Sequence, residues 1–394
     1  MGAWPSKAII ASTPAKPPPP PPEARSRPSR WSGLPPELAG LVLRRLPILA
    51  DRTRFGSVCR HWRHAVRQQA PALPPAFPWI ISFCGRKYRS IQQDGQVHRL
   101  LRSSQLTACW GSSENWLLLT GPWHPNKNST FLENPLSRAI IQLPGQLRPD
   151  DGFPELWCLQ KFIVCSNDLI VATTLTTSPP LVACYRPGTS SWSTSSHAGG
   201  DSESYYQDIA VYRGDIYAIT RGGDLFAHEV SVDSTGHGET TTTVSVSAAK
   251  RVIKGSDTCD AVAVSRFLVV SRGRLLMVNH EKRFGVLEGS VFKVFEADVE
   301  MSRWSMLTSI GDQVVLFLSR RCSKAIPASS HDEYLCGGNR IYFLDQPLYG
   351  PDKCRSESGL VSCGMYDMRD NTYHPIVSNV PRVGDVTAWF FPQK

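Results

Sequence analysis

His228-Glu229 and His280-Glu281 each pair an imidazole with a carboxylate, as the helix of a zinc protease does. Neither pair is followed by the second histidine that such a helix needs three residues on. His331, Cys336, Cys354 and Cys363 are metal-ligating types, but their separations of 5, 18 and 9 match no standard zinc finger. Cys59 beside His61 and His64 has the makings of an activated thiol. Helical spacing, however, groups Cys59 with Phe55 and Trp62 on an apolar face and turns the imidazoles elsewhere, which is the pattern of a core cysteine. Asp367, Arg369 and Asp370, in "YDMRDNT", suit a strand-end turn better than paired-carboxylate catalysis. The chain has neither a Gly-x-x-x-x-Gly-Lys-Ser/Thr phosphate loop nor a Gly-x-Ser-x-Gly elbow. These observations point to a protein that is not an enzyme and needs no cofactor or metal.

The densest charge lies in "LADRTRFGSVCRHWRHAVRQ", which holds Arg52, Arg54, Arg60, Arg63 and Arg67. A basic helix of this kind could track nucleic-acid phosphates. Its spacing argues otherwise. Phe55, Val58, Cys59, Trp62 and Val66 recur at i, i+3, i+4, i+7 and i+11, which predicts one amphipathic helix with Asp51 as its N-cap. Ahead of it, Pro35 and Pro36 suit a first helical turn, Leu38, Leu41, Val42 and Leu46 form an apolar stripe, and Pro47 ends the helix. Two short helices with this much apolar surface require a partner to cover it.

Composition sets the frame for these helices. Residues 1–105 hold 17 Lys and Arg against 4 Asp and Glu, whereas the remaining 289 hold 26 against 30. The net charge of +9 therefore belongs to the N-terminal part, where an acidic partner would meet it. Residues 1–30 form a Pro-rich tail, with six consecutive prolines at 17–22, and are expected to be disordered. Gly2 and Ser6 match the loose N-myristoylation pattern. The start of the chain has prolines and charges where a signal peptide needs an apolar run, and no run approaches the roughly 18 apolar residues of a membrane span. The eleven cysteines are scattered, without a Cys-x-x-Cys pair. The expectation is reduced thiols in the cytoplasm and/or nucleus, with no membrane partner.

From about Trp79 onward a polar turn followed by β-formers recurs at Leu117–Leu119, Ile170–Ala172, Ile216–Thr220, Phe267–Val270 and Ile341–Leu344, at intervals of 53, 46, 51 and 74. A second unit of strand, polar turn and strand follows in "FLENPLSRAIIQLP", "ACYRPGTSSWSTS", "VFEADVEMSRWSML" and "GMYDMRDNTYHPIV". A repeat of about 50 residues, each supplying about four antiparallel strands, predicts propeller blades. Segment 79–101 offers about three more strands, and the terminal "VTAWFFP" one, so pairing the two ends would complete a sixth blade and remove two open edges. The predicted fold is mainly β: a disordered tail (1–30), a small helical motif (31–70) and a propeller of about six blades (76–392) closed by the C-terminal strand.

"LPPELAGLVLRRLP…D…RFGSVCRHWR" resembles the F-box motif, and the region after it, with "NRIYFLDQ", "CGMYDMRD" and "AWFFP", resembles plant F-box proteins with a C-terminal β-propeller of the KIB type. The resemblance implies the substrate-recognition subunit of an SCF-type ubiquitin ligase. In such a complex the F-box binds the adaptor Skp1, and through it cullin 1, while the propeller holds a target protein. Carried over by position, the Skp1-facing residues are Leu34, Pro35, Leu38, Val42, Leu46, Pro47, Val58 and Trp62. This sequence departs from the motif by one extra residue between Pro47 and Asp51, and by Arg52 and Thr53 where leucines are common. The polar stretches Val232–Val244 and Arg320–Gly338 are candidate loops for contacting the target. The alternative is a nucleic-acid or chromatin role for the basic N-terminal part, with the propeller as scaffold.

Overall fold

A polar turn flanked by β-branched and aromatic runs favours a hairpin, and successive hairpins here assemble into sheets around one axis. The computed structural model describes residues 30–46, 49–73, 78–81, 87–91, 97–99, 108–121, 130–144, 159–165, 168–174, 181–196, 206–235, 241–255, 263–283, 289–328, 337–345, 362–377 and 388–392. Residues 1–29 of the expected tail, Gly2 among them, lie outside the described residues, as do Pro47, His331, Cys336 and Cys354.

The sheets form a six-bladed propeller. Blade 1 joins the ends of the chain: the terminal strand Ala388–Phe390 is innermost and pairs antiparallel with Trp79–Ile81, followed by Lys87–Ser90 and Val97–Arg99. Blades 2 to 5 begin at their inner strands Ala108–Ser113, Leu159–Val164, Tyr206–Tyr212 and Ala263–Ser271, each followed outward by three more strands. The tight turns after three of these inner strands place Glu114, Arg213 and Arg272 at positive φ, and the turns between the two outer strands do the same at Arg138, Gly188 and Ser302. Blade 6 has five strands. Lys324–Pro327 is innermost, and Val314–Leu318 runs parallel to Arg340–Asp345 before Ser362–Asp367 and Thr372–Val377.

Three differences from the sequence expectation have physical causes. Phe267–Val270 is an inner strand, so the true counterpart of Ile216–Thr220 in blade 5 lies in Arg274–Arg283. Both are continuous apolar runs buried on both faces, so the sequence pattern does not separate them. Val232–Val244 is not a loop: most of it belongs to a hairpin, Val230–Thr235 with Thr241–Val246, inserted into blade 4. Arg320–Gly338 is likewise not one loop, since it contains the inner strand of blade 6.

The core lies between blades. Trp389 is fully buried among Ile80, Val315, Phe317 and Tyr342, and its indole N–H donates to the Leu318 carbonyl at 2.8 Å. This residue bonds the closing strand to blade 6. Trp389→Ala is expected to destabilise the propeller by about 3–5 kcal/mol, seen as a lowered denaturant midpoint.

In blade 6, Asp367 ties strands together through Arg340 Nε at 3.1 Å and Arg369 Nε at 2.8 Å. Hydrogen bonds from Arg369, joined by Arg340, hold its carboxyl well below the usual carboxylate range. A depressed native pKa contributes stability that is complete above the unfolded pKa and is lost as pH falls through and below the normal carboxylate range. Asp367→Asn should therefore weaken the acid limb of the stability–pH profile between about pH 4 and 2.

Candidate functional site

The helical motif is built from three short helices: α1 (Pro36–Arg44), α2 (Leu49–Ser57) and α3 (Arg60–Gln69). Pro36 opens α1, and Glu37 and Arg44 sit where the helix dipole favours each charge. The single helix expected across residues 51–67 is broken. Cys59 adopts an extended conformation, and its Sγ accepts from the Trp62 N–H at 3.4 Å, so Cys59 caps α3 instead of sitting in a continuous apolar stripe. Asp51 falls inside the first turn of α2 and is not its N-cap.

This break decides which apolar residues face inward. Ala39, Leu43, Phe55, Ala65 and Val66 form the motif's core, with Leu34, Leu46 and Trp62 packed against it. Trp62 stacks on Phe55 at 4.3 Å, and its indole N–H donates to the Trp31 carbonyl at 2.7 Å. α1 approaches α3 so closely at Gly40 that an added Cβ would lie 2.6 Å from the Gln69 side chain. With the core thus filled, Leu38 (49% exposed), Leu41 (56%), Val42 (43%) and Val58 (63%) remain on the surface. Pro35 is exposed, and Trp31 stands out at 70%.

Of the eight residues expected to meet an adaptor, then, Pro35, Leu38, Val42 and Val58 are exposed. Leu34, Leu46 and Trp62 are half-buried, and Pro47 is outside the described residues. Two residues outside that set, Leu41 of the same apolar stripe and Trp31, are exposed as well.

The arginines divide as well. Arg60, Arg63 and Arg67 are exposed on α3, and Arg54 pairs with Asp51 at 2.7 Å. Arg52 is buried, and its Nε donates to the Leu46 carbonyl just beyond the end of α1 at 2.6 Å, where a cation complements the helix dipole. Burial lowers its pKa from the usual guanidinium value. Where the motif commonly has leucine, this chain thus has a side chain that joins α2 to the end of α1.

α2 also joins the motif to the propeller. Leu49 is buried with Trp79, Ile81, Tyr88, Leu117 and Phe390, at the seam of blades 1 and 2. Asp51 and Arg54 lie near enough to Tyr88 to act on its phenol, which burial pushes up.

A second candidate site lies on the propeller axis. In blades 2, 3 and 4 the inner strand bulges at one matching place, around Trp110, Gln160 and Gln207. A bulge re-aims the residues after it, here Lys161 and Asp208, which form a buried ion pair at 2.7 Å. Asp208 also accepts from the backbone N–H groups of Ile209 and Leu268, both at 2.8 Å. Its pKa is raised by burial and held down in part by Lys161 and these hydrogen bonds.

Arg321 closes the inner end of the axis. It is buried, its Nη1 donates to the carbonyls of Trp110 and Leu159, and burial lowers its pKa to about 10. Residues next to it in the chain enter a cavity of about 240 Å³ that is also lined by the inner strands of blades 2 to 5. Cys322 is in its wall, the thiol pushed up to about 11 by burial and so kept protonated. Cys363, once a candidate metal ligand, is buried in the core.

An N-terminal helical motif with an exposed apolar face, joined at a blade seam to a six-bladed propeller, defines an F-box protein of the propeller class. An F-box domain model matches residues 31–71, and a KIB1-4 β-propeller model matches residues 88–367. The chain belongs to the KIB1-4 β-propeller family. It is 20% identical over 335 residues to the putative F-box protein At3g25750 of Arabidopsis thaliana, covering 80% of this chain and 87% of the relative. It is 26% identical over 206 residues to the F-box protein At1g69090 of the same plant, covering 48% and 49%. A solved prolyl endopeptidase structure aligns at 10% identity and TM-score 0.27 over 71% of this chain and 34% of its own, too distant to carry an argument. This architecture is in general that of a non-catalytic substrate adaptor of SCF complexes.

Removing one partner of a buried ion pair leaves an uncompensated charge. Lys161→Met alone is therefore expected to lose about 3–5 kcal/mol, and Lys161→Met with Asp208→Asn to recover most of it, measured by urea unfolding.

Proposed function

We propose that this chain is the substrate-recognition subunit of an SCF-type ubiquitin ligase. The F-box binds a Skp1-type adaptor, and through it cullin 1, and the propeller binds a protein target in the cytoplasm and/or nucleus. The observation that carries the reading is the exposed row of Leu38, Leu41 and Val42 with Val58, on a motif whose own core is already filled. Burying roughly half of each of these side chains contributes about 3–6 kcal/mol. A nanomolar complex needs about 12 kcal/mol, so the contact must extend beyond them. Trp31 and Pro35 are exposed as well. Exposed Arg60, Arg63 and Arg67 supply steering toward an acidic partner, which raises the rate of encounter more than the affinity.

The protein supplies no reacting group in this role. It raises the effective concentration of a target lysine beside a charged conjugating enzyme. The test is adaptor binding by purified full-length protein at physiological salt. Wild type is expected to bind, and Leu38→Asp with Val42→Asp to reduce binding at least 100-fold while the melting temperature holds. An intact protein that ignores the adaptor would overturn the reading. Steep salt-dependent DNA or RNA binding, lost on charge reversal at Arg60, Arg63 and Arg67, would favour the nucleic-acid alternative.

A further inference from the structure

The axial cavity has a mixed lining. Ser112, Ser113, Glu114, Lys161, Ser323 and Lys324 supply polar groups, and partly exposed Ile163, Val211 and Val270 supply hydrocarbon. Its mouth is the end where the side chains of Glu114 and Val270 are exposed.

The polar lining holds donors at Lys161, Ser113 and Lys324, with the Glu114 carboxylate at the mouth. An ammonium carries three N–H donors, and among the described residues Asp208 is the acceptor that Lys161 meets. Lys161 is buried, so its two remaining donors face the cavity or nothing. Ser113 Oγ accepts from the Val164 N–H, which leaves its own hydroxyl hydrogen to donate. Lys324 stands at the mouth, bonded to Glu114. Asp208 is not part of the wall, because Lys161 and the N–H groups of Ile209 and Leu268 occupy its carboxylate. A buried donor without an acceptor costs about 1–3 kcal/mol, more when it is charged. The site therefore favours an occupant that brings acceptors to the lysines and hydrocarbon to the apolar lining.

We propose that this cavity binds a carboxylate on a short aliphatic stem, its oxygens between Lys161 and Lys324 and its methylenes against Ile163, Val211 and Val270. No arginine lines it, Arg320 and Arg321 being bonded to Ser265 and to the carbonyls of Trp110 and Leu159. It therefore lacks the guanidinium fork that suits a phosphate. Such a carboxylate has two sources: an acidic side chain on a flexible segment of the target, or a free small organic acid. The first rests on the receptor reading above and names where the target is held.

The experiment is calorimetric titration of the full-length protein with succinate, its diamide succinamide, inorganic phosphate, and the blocked tripeptide acetyl-Gly-Glu-Gly-amide. Succinate is expected to bind, succinamide at least tenfold more weakly, and phosphate more weakly than succinate. Lys324→Gln, at the solvent-facing mouth, should weaken succinate binding at least fivefold without loss of folding. The double variant Lys161→Met with Asp208→Asn should weaken it at least tenfold. Tripeptide binding as tight as that of succinate supports the site with the target as source. Succinate binding with tripeptide excluded supports it with a free acid as source. The proposal is overturned if succinate fails to bind, if succinamide or phosphate binds as well, or if both variants bind like wild type. Adaptor binding measured on the same preparations separates the two readings, since loss of either activity with the other intact sinks only its own proposal.

Discussion

A propeller depends on holding its inner strands together around an axis, where each strand leaves one edge without a partner in its own sheet. Here a closed circuit of polar bonds does this. The Ser112 hydroxyl donates to the Trp389 carbonyl, and the Val164 N–H to Ser113. Gln160 donates to the Gln207 carbonyl, and Gln207 accepts from the Arg266 N–H. Arg320 reaches Ser265, Arg321 reaches blades 2 and 3, and Trp389 returns the circuit to blade 6. Lys161 and Asp208 lie at its centre. A buried ion pair offsets its desolvation only when the remaining lone pairs are also satisfied, and for Asp208 they are, by two backbone donors from blades 4 and 5. One carboxylate thereby ties three blades.

The seam where the circle closes is also where the helical motif attaches. Blade 1 is made from both ends of the described propeller chain, and Leu49 of α2 packs on the residues that make that closure, Trp79 and Phe390. A motif held by an exposed tether would swing freely. One held by a buried leucine in an aromatic cluster has a direction. Arg52 adds to this by joining α2, the attached helix, to the end of α1, the helix that carries most of the exposed apolar face.

The fold was largely legible because its signals are local. Alternation and turn residues marked the hairpins, and the apolar "AWFF" beside the unpaired start of the β region marked the closure. Errors arose where local signals were ambiguous. An inner strand buried on both faces looks like its neighbour, so Phe267–Val270 was placed out of phase. Helical spacing carried across Cys59 because periodicity does not register a single extended residue, and this assigned Cys59 to a core that it instead borders as a cap. The axial site was not legible at all. Lys161 and Asp208 are 47 residues apart, meet through bulges that no spacing rule signals, and resemble ordinary surface charges in the sequence.

An adaptor of this kind works by geometry, so the value of its contacts is set by what they hold fixed. Effective concentration falls when a linker samples many directions. The Leu49 anchor limits that sampling, because swinging the helices away would expose Leu49, Trp79 and Tyr88 together, at roughly 1.5–3 kcal/mol for each large side chain. Under the proposed role, the same apolar cluster that closes the propeller then also directs the adaptor-facing surface. The helical motif, with Arg52 buried inside it, thus takes its direction from the propeller seam in which Leu49 is buried.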